Sequence, residues 1–152
     1  MSHFLGTHQN RLDAKGRVSV PAPFRAALRR EGESVGIVLL PSYKHPCIDV
    51  WPLPVFNALG SNLEGLAVFS DTHDDMATSI YADAYPLEAD KEGRVLLPAD
   101  LVAHAGLIDS VVFMGLGKTF QIWEPAAAQR RRLEARERAR IGGLTLPAGV
   151  AA

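Results

Sequence analysis

The 152-residue chain is poor in cysteine and has no long hydrophobic run. Its single cysteine, Cys47, excludes an internal disulfide and agrees with a reducing compartment. No apolar stretch approaches the roughly 18 residues of a membrane-spanning helix, so we predict no membrane partner. The N-terminal segment MSHFLGTHQNRLD also lacks the apolar region of a secretory signal.

Signatures of catalysis and metal binding are missing as well. The chain contains no Gly-rich phosphate loop, no nucleophile elbow and no His-Glu-x-x-His pattern. Cys47 lies in an apolar strand pattern and is predicted to be a core residue. His73, Asp74 and Asp75 are consecutive, which does not bring them together around one ion, and Ser70 is instead predicted to cap a helix there. We therefore predict no enzyme, no catalytic residue, no metal site and no cofactor.

Charge is unevenly distributed along a chain whose net charge is only −1. Residues 1–35 hold six Lys/Arg and three Asp/Glu, whereas residues 57–90 hold seven Asp/Glu and no Lys/Arg. Residues 91–152 are basic again, with nine Lys/Arg and six Asp/Glu. The nearly neutral net charge argues against indiscriminate nucleic-acid binding. The separation of basic and acidic segments along the chain can nevertheless build a local basic face.

A motif of the form D-x-x-G-R-V-x-x-P occurs twice, in LDAKGRVSVPAPFR (12–25) and in ADKEGRVLLPADLV (89–102). After each copy come a short amphipathic helical pattern, a β-branched apolar run, a turn, and a strand that ends on Trp51 or Trp123. Each half therefore predicts the order strand, hairpin, strand, helix, strand, turn, strand.

Two such halves predict one pseudo-symmetric barrel, because each is too small to bury a core alone. We expect interlocked halves with a shared core. The predicted segments are a first repeat (7–54), a helical, acidic connector (55–82), a second repeat (83–126), and a C-terminal helix with a mobile tail (127–152). Within the connector, apolar spacing predicts a helix over 54–66 that is broken at Gly60.

The repeated motif has the chemistry of a tight hairpin turn. Asp13 suits the first position of a type I turn and Gly16 supplies a positive φ, so Arg17 leaves the hairpin at a fixed place. A single copy favours a purely structural turn with an Asp–Arg surface pair. Two copies favour a matched pair of arginines that read guanine edges or grip phosphate. The candidate DNA-binding residues are Arg11, Asp13, Lys15, Arg17, Arg25, Asp90, Lys91 and Arg94.

Three longer stretches carry a family resemblance. FLGTHQNRLDAKGRVSVPAPFRAAL, DKEGRVLLPADLVAHAGL and QIWEP resemble the MraZ family of bacterial transcriptional regulators, over residues 4 to about 125. The resemblance implies an α+β, strand-rich fold. In that fold two repeats form a pseudo-two-fold, AbrB-like β-barrel of the double-split, swapped-hairpin type, with connecting and C-terminal helices.

The resemblance also implies a function. It predicts a transcriptional repressor that binds double-stranded DNA at direct repeats upstream of the division and cell wall gene cluster, which includes its own gene. It further implies a ring-like homo-oligomer and a cytoplasmic, nucleoid-associated location. An AbrB-like, antitoxin-style module whose main ligand is another protein is the alternative. The acidic middle slightly favours that alternative, whereas the duplicated arginine hairpins and the resemblance favour DNA.

One segment departs from the family pattern. Relatives typically have a basic middle segment, but FSDTHDDMATSIYADAYPLEAD contains no Lys or Arg, and Asp83 stands where glycine is usual. We therefore expect this segment either to face away from DNA or to pair with a basic neighbour in the oligomer.

Overall fold

The structure is a computed structural model that describes residues 3–31 and 36–147. These residues form eight strands and five α-helices, which confirms the α+β, strand-rich class. The strands are β1 (Thr7–Arg11), β2 (Arg17–Ser19), β3 (Ile37–Pro41), β4 (Ile48–Pro52), β5 (Tyr85–Leu87), β6 (Arg94–Leu96), β7 (Ser110–Gly115) and β8 (Phe120–Trp123). The helices are α1 (Ala22–Glu31), α2 (Leu53–Leu63), α3 (Asp71–Ala77), α4 (Ala99–Ala105) and α5 (Pro125–Ile141), and Thr78–Ala82 continue α3 as a π-helical turn. The end of the predicted tail, 148–152, lies outside the described residues.

The strand order shows the predicted internal symmetry. Six antiparallel strands form a sheet in the order β1-β7-β8-β4-β3-β5, and β2 pairs with β6 in a separate two-stranded ribbon. The equivalent strands of the two halves are β1 and β5, β3 and β7, and β4 and β8. When each strand is replaced by its equivalent, the strand order of the sheet is the same order read backwards. The first strand of each half pairs with the other half, β1 with β7 and β5 with β3, so the halves interlock.

The predicted barrel closure is not confirmed. Within the described residues β1 and β5 are the two edges of an open sheet. The ribbon has only three residue pairs, and an isolated bridge between Leu12 and Val18 links it back to the chain after β1. The ribbon therefore covers one face of the sheet without joining its edges.

Side-chain alternation along the strands divides the sheet into two faces. On β3, Ile37 and Leu39 belong to the main core, whereas Val38 and Leu40 belong to a second cluster. The face with the main core is called the inner face here, and α1, α4 and the ribbon pack on it. The outer face carries two smaller clusters, one under α2 and the π-helical turn and one under α5. The sheet thus separates the ribbon from α2, α3 and α5.

Local sequence signals explain most helix positions. Phe24, Ala27 and Leu28 are buried at the predicted i, i+3, i+4 spacing of α1. The hydroxyl of Ser70 accepts a hydrogen bond from the backbone N–H of His73 at 3.1 Å, which confirms the predicted cap of α3. Cys47 is fully buried, as predicted, and burial raises its pKa to about 12.

The predicted break at Gly60 is wrong, because α2 runs through this residue and ends at Leu63. Phe56 and Leu63 are buried on either side of the glycine. Tertiary packing of these side chains outweighs the roughly 1 kcal/mol that an interior glycine costs a helix. No helix of the described residues is both long and apolar enough to cross a bilayer.

The interlocked pairing predicts that the two halves unfold together. Each half contains one tryptophan, so Trp51→Phe leaves Trp123 as the reporter of the second half, and Trp123→Phe leaves Trp51 for the first. We expect the fluorescence midpoint in urea to coincide with the circular dichroism midpoint within each variant, because neither half retains its strand partners alone. Two separated transitions in either variant would mean that the halves are independent units.

Candidate nucleic-acid interface

The two repeated motifs form the same turn. The backbone N–H of Asp13 donates to the carbonyl of Arg17, and that of Gly16 donates to the carbonyl of Asp13, both at 3.0 Å. Asp90 and Gly93 make the corresponding bonds at 2.8 and 3.0 Å. Both glycines have positive φ, +86° at Gly16 and +78° at Gly93, which confirms the predicted role of glycine in the turn.

In each turn the aspartate carboxylate holds the arginine that follows. Oδ1 of Asp13 accepts from the backbone N–H of Lys15 at 2.9 Å and of Arg17 at 2.8 Å, while Oδ2 accepts from Nε of Arg17 at 2.9 Å. Asp90 makes the same three bonds, with an Oδ2–Nε distance of 3.1 Å to Arg94. The backbone N–H of the arginine is the main cause of the lowered pKa of each aspartate. Because the carboxylate of Asp13 accepts the hydrogen bond from Nε, the terminal nitrogens Nη1 and Nη2 of Arg17 can donate to another partner.

The register of the ribbon places both arginines on one surface. Val18 pairs with Val95 at its centre, and both valines are buried in the main core. Side chains alternate along a strand, so the residues on either side of the valines lie on the opposite, outward face. Arg17 pairs with Leu96 and Arg94 pairs with Ser19, which makes the arginines diagonal neighbours about 7–8 Å apart at Cα.

The two arginines have different electrostatic surroundings. Nη2 of Arg94 lies 3.5 Å from a carboxylate oxygen of Glu92, in addition to its bond with Asp90. The equivalent position in the first turn is occupied by Lys15. Arg17 therefore has one carboxylate and one nearby lysine, and it is the more electropositive of the pair.

Arg25 has a role within the chain. It extends from α1 over the second turn, where its Nη1 donates to the carbonyl of Glu92 at 3.3 Å. A Cβ on Gly93 would clash with its Cδ and Nη1, so the glycine makes room for the arginine. Its buried Nε has no hydrogen-bond partner within the described residues. Arg25 thereby links the first half to the turn of the second.

The other candidate residues lie at the margins of the ribbon. Lys15 and Lys91 are exposed on the two turns, and Arg11 is exposed at the end of β1, where it pairs with Ser110. Sequence reasoning missed Ser19 and Leu96, which are exposed and lie directly opposite the arginines. Only the strand register reveals them, because neither residue type carries a recognition signal.

Comparison with known proteins identifies the family. The family model described as "MraZ protein, putative antitoxin-like" matches residues 3–77 and 80–136, which include both turns and the ribbon. The chain belongs to the MraZ family. The MraZ resemblance of the repeated motifs is thus confirmed over nearly the whole chain.

Several MraZ relatives are similar along almost their full length, and each is named "Transcriptional regulator MraZ". The chain is 63% identical to the protein of Gluconacetobacter diazotrophicus, over 97% of this chain and 94% of the relative. It is 57% identical to that of Gluconobacter oxydans, over 92% and 87%. It is 38% identical to that of Pelagibacter ubique, over 94% and 92%.

The glycines of the two turns should differ in their tolerance of a side chain. Gly16→Ala should cost about 1–2 kcal/mol of unfolding free energy, because its Cβ meets only ordinary contacts and the positive φ is the main strain. Gly93→Ala should cost more, since its Cβ also displaces Arg25. Urea denaturation measures both.

Gly106→Ala is the matched control, because Gly106 has a φ of +63° and open space around a Cβ. Adding Arg25→Ala to Gly93→Ala should remove the excess cost. Equal losses at Gly93 and Gly16 would contradict the proposed packing of Arg25 over the turn.

The turn aspartates should stabilise the fold in a pH-dependent way. Their pKa is lower in the folded protein than the usual 3.8, so their contribution is present above that pH and is lost as the pH falls through the folded pKa. Asp13→Asn and Asp90→Asn should therefore be less stable than the parent at pH 7. This difference should shrink below about pH 3.8, as thermal unfolding across a pH series would show. A difference independent of pH would contradict the role of the charged carboxylates.

Proposed function

We propose that this chain is a sequence-specific DNA-binding transcriptional regulator that acts as a repressor. Its proposed targets are direct repeats upstream of the division and cell wall gene cluster, including its own gene. The observation that carries the proposal is the ribbon, which presents Arg17 and Arg94 side by side on one exposed face. The relatives' name, transcriptional regulator, supports the same role.

A two-stranded ribbon suits the major groove, which is about 12 Å wide in B-DNA and admits such a ribbon. Arginine makes bidentate bonds to O6 and N7 of guanine through two of its nitrogens. Fixing Nε of Arg17 to Asp13 orients the guanidinium before DNA binds, which lowers the entropic cost of the contact. We propose Arg17 and Arg94 as base readers, with Asp13 and Asp90 as their orienting residues.

The remaining candidates are proposed to support this contact. Lys15, Lys91 and Arg11 lie near the turns, where they would bind phosphate, and Arg25 holds the second turn in place. We also propose that residues 7–54 and 83–126 are AbrB-like repeats, that residues 55–82 connect them, and that residues 127–152 form a C-terminal extension. A cytoplasmic, nucleoid-associated location follows from the proposed function.

One ribbon offers few charges for DNA, so we propose a ring-like homo-oligomer that repeats it. Specific DNA affinity usually requires several phosphate contacts. Linking several ribbons in one assembly makes the later contacts intramolecular and raises the overall affinity. Direct repeats in DNA would match ribbons that repeat around the ring.

The central test is removal of each arginine. Arg17→Ala and Arg94→Ala should melt close to the parent, because an exposed ion pair contributes only about 0–1 kcal/mol. Each should weaken binding to the upstream DNA by about 1–3 kcal/mol per base contact. Arg17→Ala should have the larger effect, since Glu92 partly neutralises Arg94. Fluorescence anisotropy with labelled duplex at two salt concentrations measures the loss.

Arg130→Ala is the matched control, because it removes one exposed arginine from α5 on the far side of the sheet. A parent-like affinity in Arg17→Ala, or a large drop in its melting temperature, would mean that the turn is scaffolding. The protein-partner alternative would then be favoured.

A further inference from the structure

The outer face of the sheet carries two helical elements that are equivalent by the internal symmetry but opposite in charge. The helix α2 follows β4 as α5 follows β8, and both elements pack on the outer face. Residues 53–82, which contain α2 and α3, hold four Asp/Glu and no Lys/Arg. Residues 125–141 of α5 hold six arginines and two glutamates. The pseudo-symmetry of the backbone is therefore broken by charge.

The basic element borders a groove. A cavity of about 360 Å³ lies between α5 and the β7–β8 hairpin, in the size range of pockets that enclose a side chain or a small ligand. We call it the α5 groove; its lining includes Met114, Leu116, Gln121, Arg131, Arg132 and Arg136. Among the residues that the structure describes, no acidic side chain lines it. Burial, and after it the positive charge of Arg131, lower the pKa of His45, which also lines the groove.

The acidic element carries an exposed apolar anchor. Phe69, between α2 and α3, is completely exposed, and its neighbour Val68 is 65% exposed. The helix that follows starts with Asp71, its first turn also contains Asp74, and Asp75 comes directly after it. We call residues 68–75 the Phe69 turn. An exposed aromatic side chain beside charged residues offers a partner surface an apolar anchor with a charged rim.

Neither surface takes part in an ion pair that the structure gives among residues 3–31 and 36–147. Ion pairs join Asp13 with Arg17, Asp90 and Glu92 with Arg94, and Glu137 with Arg140. None of these pairs uses an arginine of the α5 groove or an aspartate of the Phe69 turn. The two surfaces are opposite in charge, one being a groove lined by arginines and apolar side chains and the other an exposed apolar turn followed by aspartates.

We propose that the Phe69 turn of one copy docks in the α5 groove of a second copy. Phe69 packs against Met114 and Leu116, while the aspartates pair with Arg131, Arg132 and Arg136. The two partner surfaces are different, so the contact is head-to-tail, and a pair of copies leaves the groove of one copy and the turn of the other unoccupied. Such contacts repeat until they close a ring or extend a filament. The contact lies on the outer face, which leaves the ribbon of every copy free on the other side of the sheet.

This inference rests on the proposed self-association but not on DNA binding, and sedimentation velocity without DNA tests it. The parent should assemble, and Arg132→Glu should weaken assembly by about tenfold or more in dissociation constant. Arg130→Glu is the matched control, since it reverses one exposed charge on the same helix outside the groove. Phe69→Ser should weaken assembly as Arg132→Glu does, and added salt should weaken the parent's assembly.

A charge exchange provides the second arm. Asp74→Arg alone should assemble poorly, and mixing it with Arg132→Glu should restore assembly, because two variants with reversed charges can pair with each other. Circular dichroism and melting temperature confirm that each variant is folded. Restoration by mixing supports the contact, since a merely misfolded variant is not rescued by another.

Three outcomes overturn the inference, and they differ in what else they affect. A monomeric parent would contradict both the proposed self-association and this contact. If the parent assembles and Arg132→Glu assembles as strongly as Arg130→Glu, self-association stands but the proposed contact is wrong. Loss of duplex affinity in Arg132→Glu with parent-like sedimentation would make α5 a DNA-binding surface instead.

Discussion

The pairing of Val18 with Val95 is the constraint on which the proposed interface depends. These two valines lie at the centre of the ribbon and are buried against the main core. Because side chains alternate along a strand, a slip of one residue would bury Arg17 and Arg94 and expose the valines. Burial of the valines therefore fixes the register, and the register brings both arginines to the same surface.

The internal symmetry duplicates geometry, while the side chains make the copies unequal. Both turns have the same hydrogen bonds and the same positive-φ glycine. The first turn has Lys15 where the second has Glu92. Arg25 packs over Gly93 of the second turn and not over Gly16 of the first. The second arginine is thus more neutralised and its turn more firmly held. A pseudo-symmetric backbone in this way provides two similar but distinguishable turns.

The sheet keeps two surfaces apart. Residues that alternate along β3 and β7 contribute to the main core on one face and to the outer clusters on the other. The ribbon consequently lies on one side, and the acidic α2–α3 element and the basic α5 lie on the opposite side. This separation places the four Asp/Glu of residues 53–82 and the six arginines of α5 on the side of the sheet away from the ribbon.

The sequence alone determined the elements whose signals are local. Asp and Gly at fixed offsets defined both turns, the i, i+3, i+4 spacing of Phe24, Ala27 and Leu28 defined α1, and Ser70 defined the start of α3. The repeat and the family could also be read from it, because identities in register do not depend on folding. The break at Gly60 was predicted wrongly, because packing of Phe56 and Leu63 overrides a local propensity.

Only the tertiary structure decided what depends on contacts between distant residues. The open strand order, the exchange of β1 and β5 between halves, and the role of Arg25 at Gly93 all join segments far apart in sequence. Ser19 and Leu96 became part of the candidate interface only through the register of β2 and β6. A sequence pattern reports the preference of each segment for its own conformation, whereas strand partners are selected by burial of a shared core, which no single segment encodes.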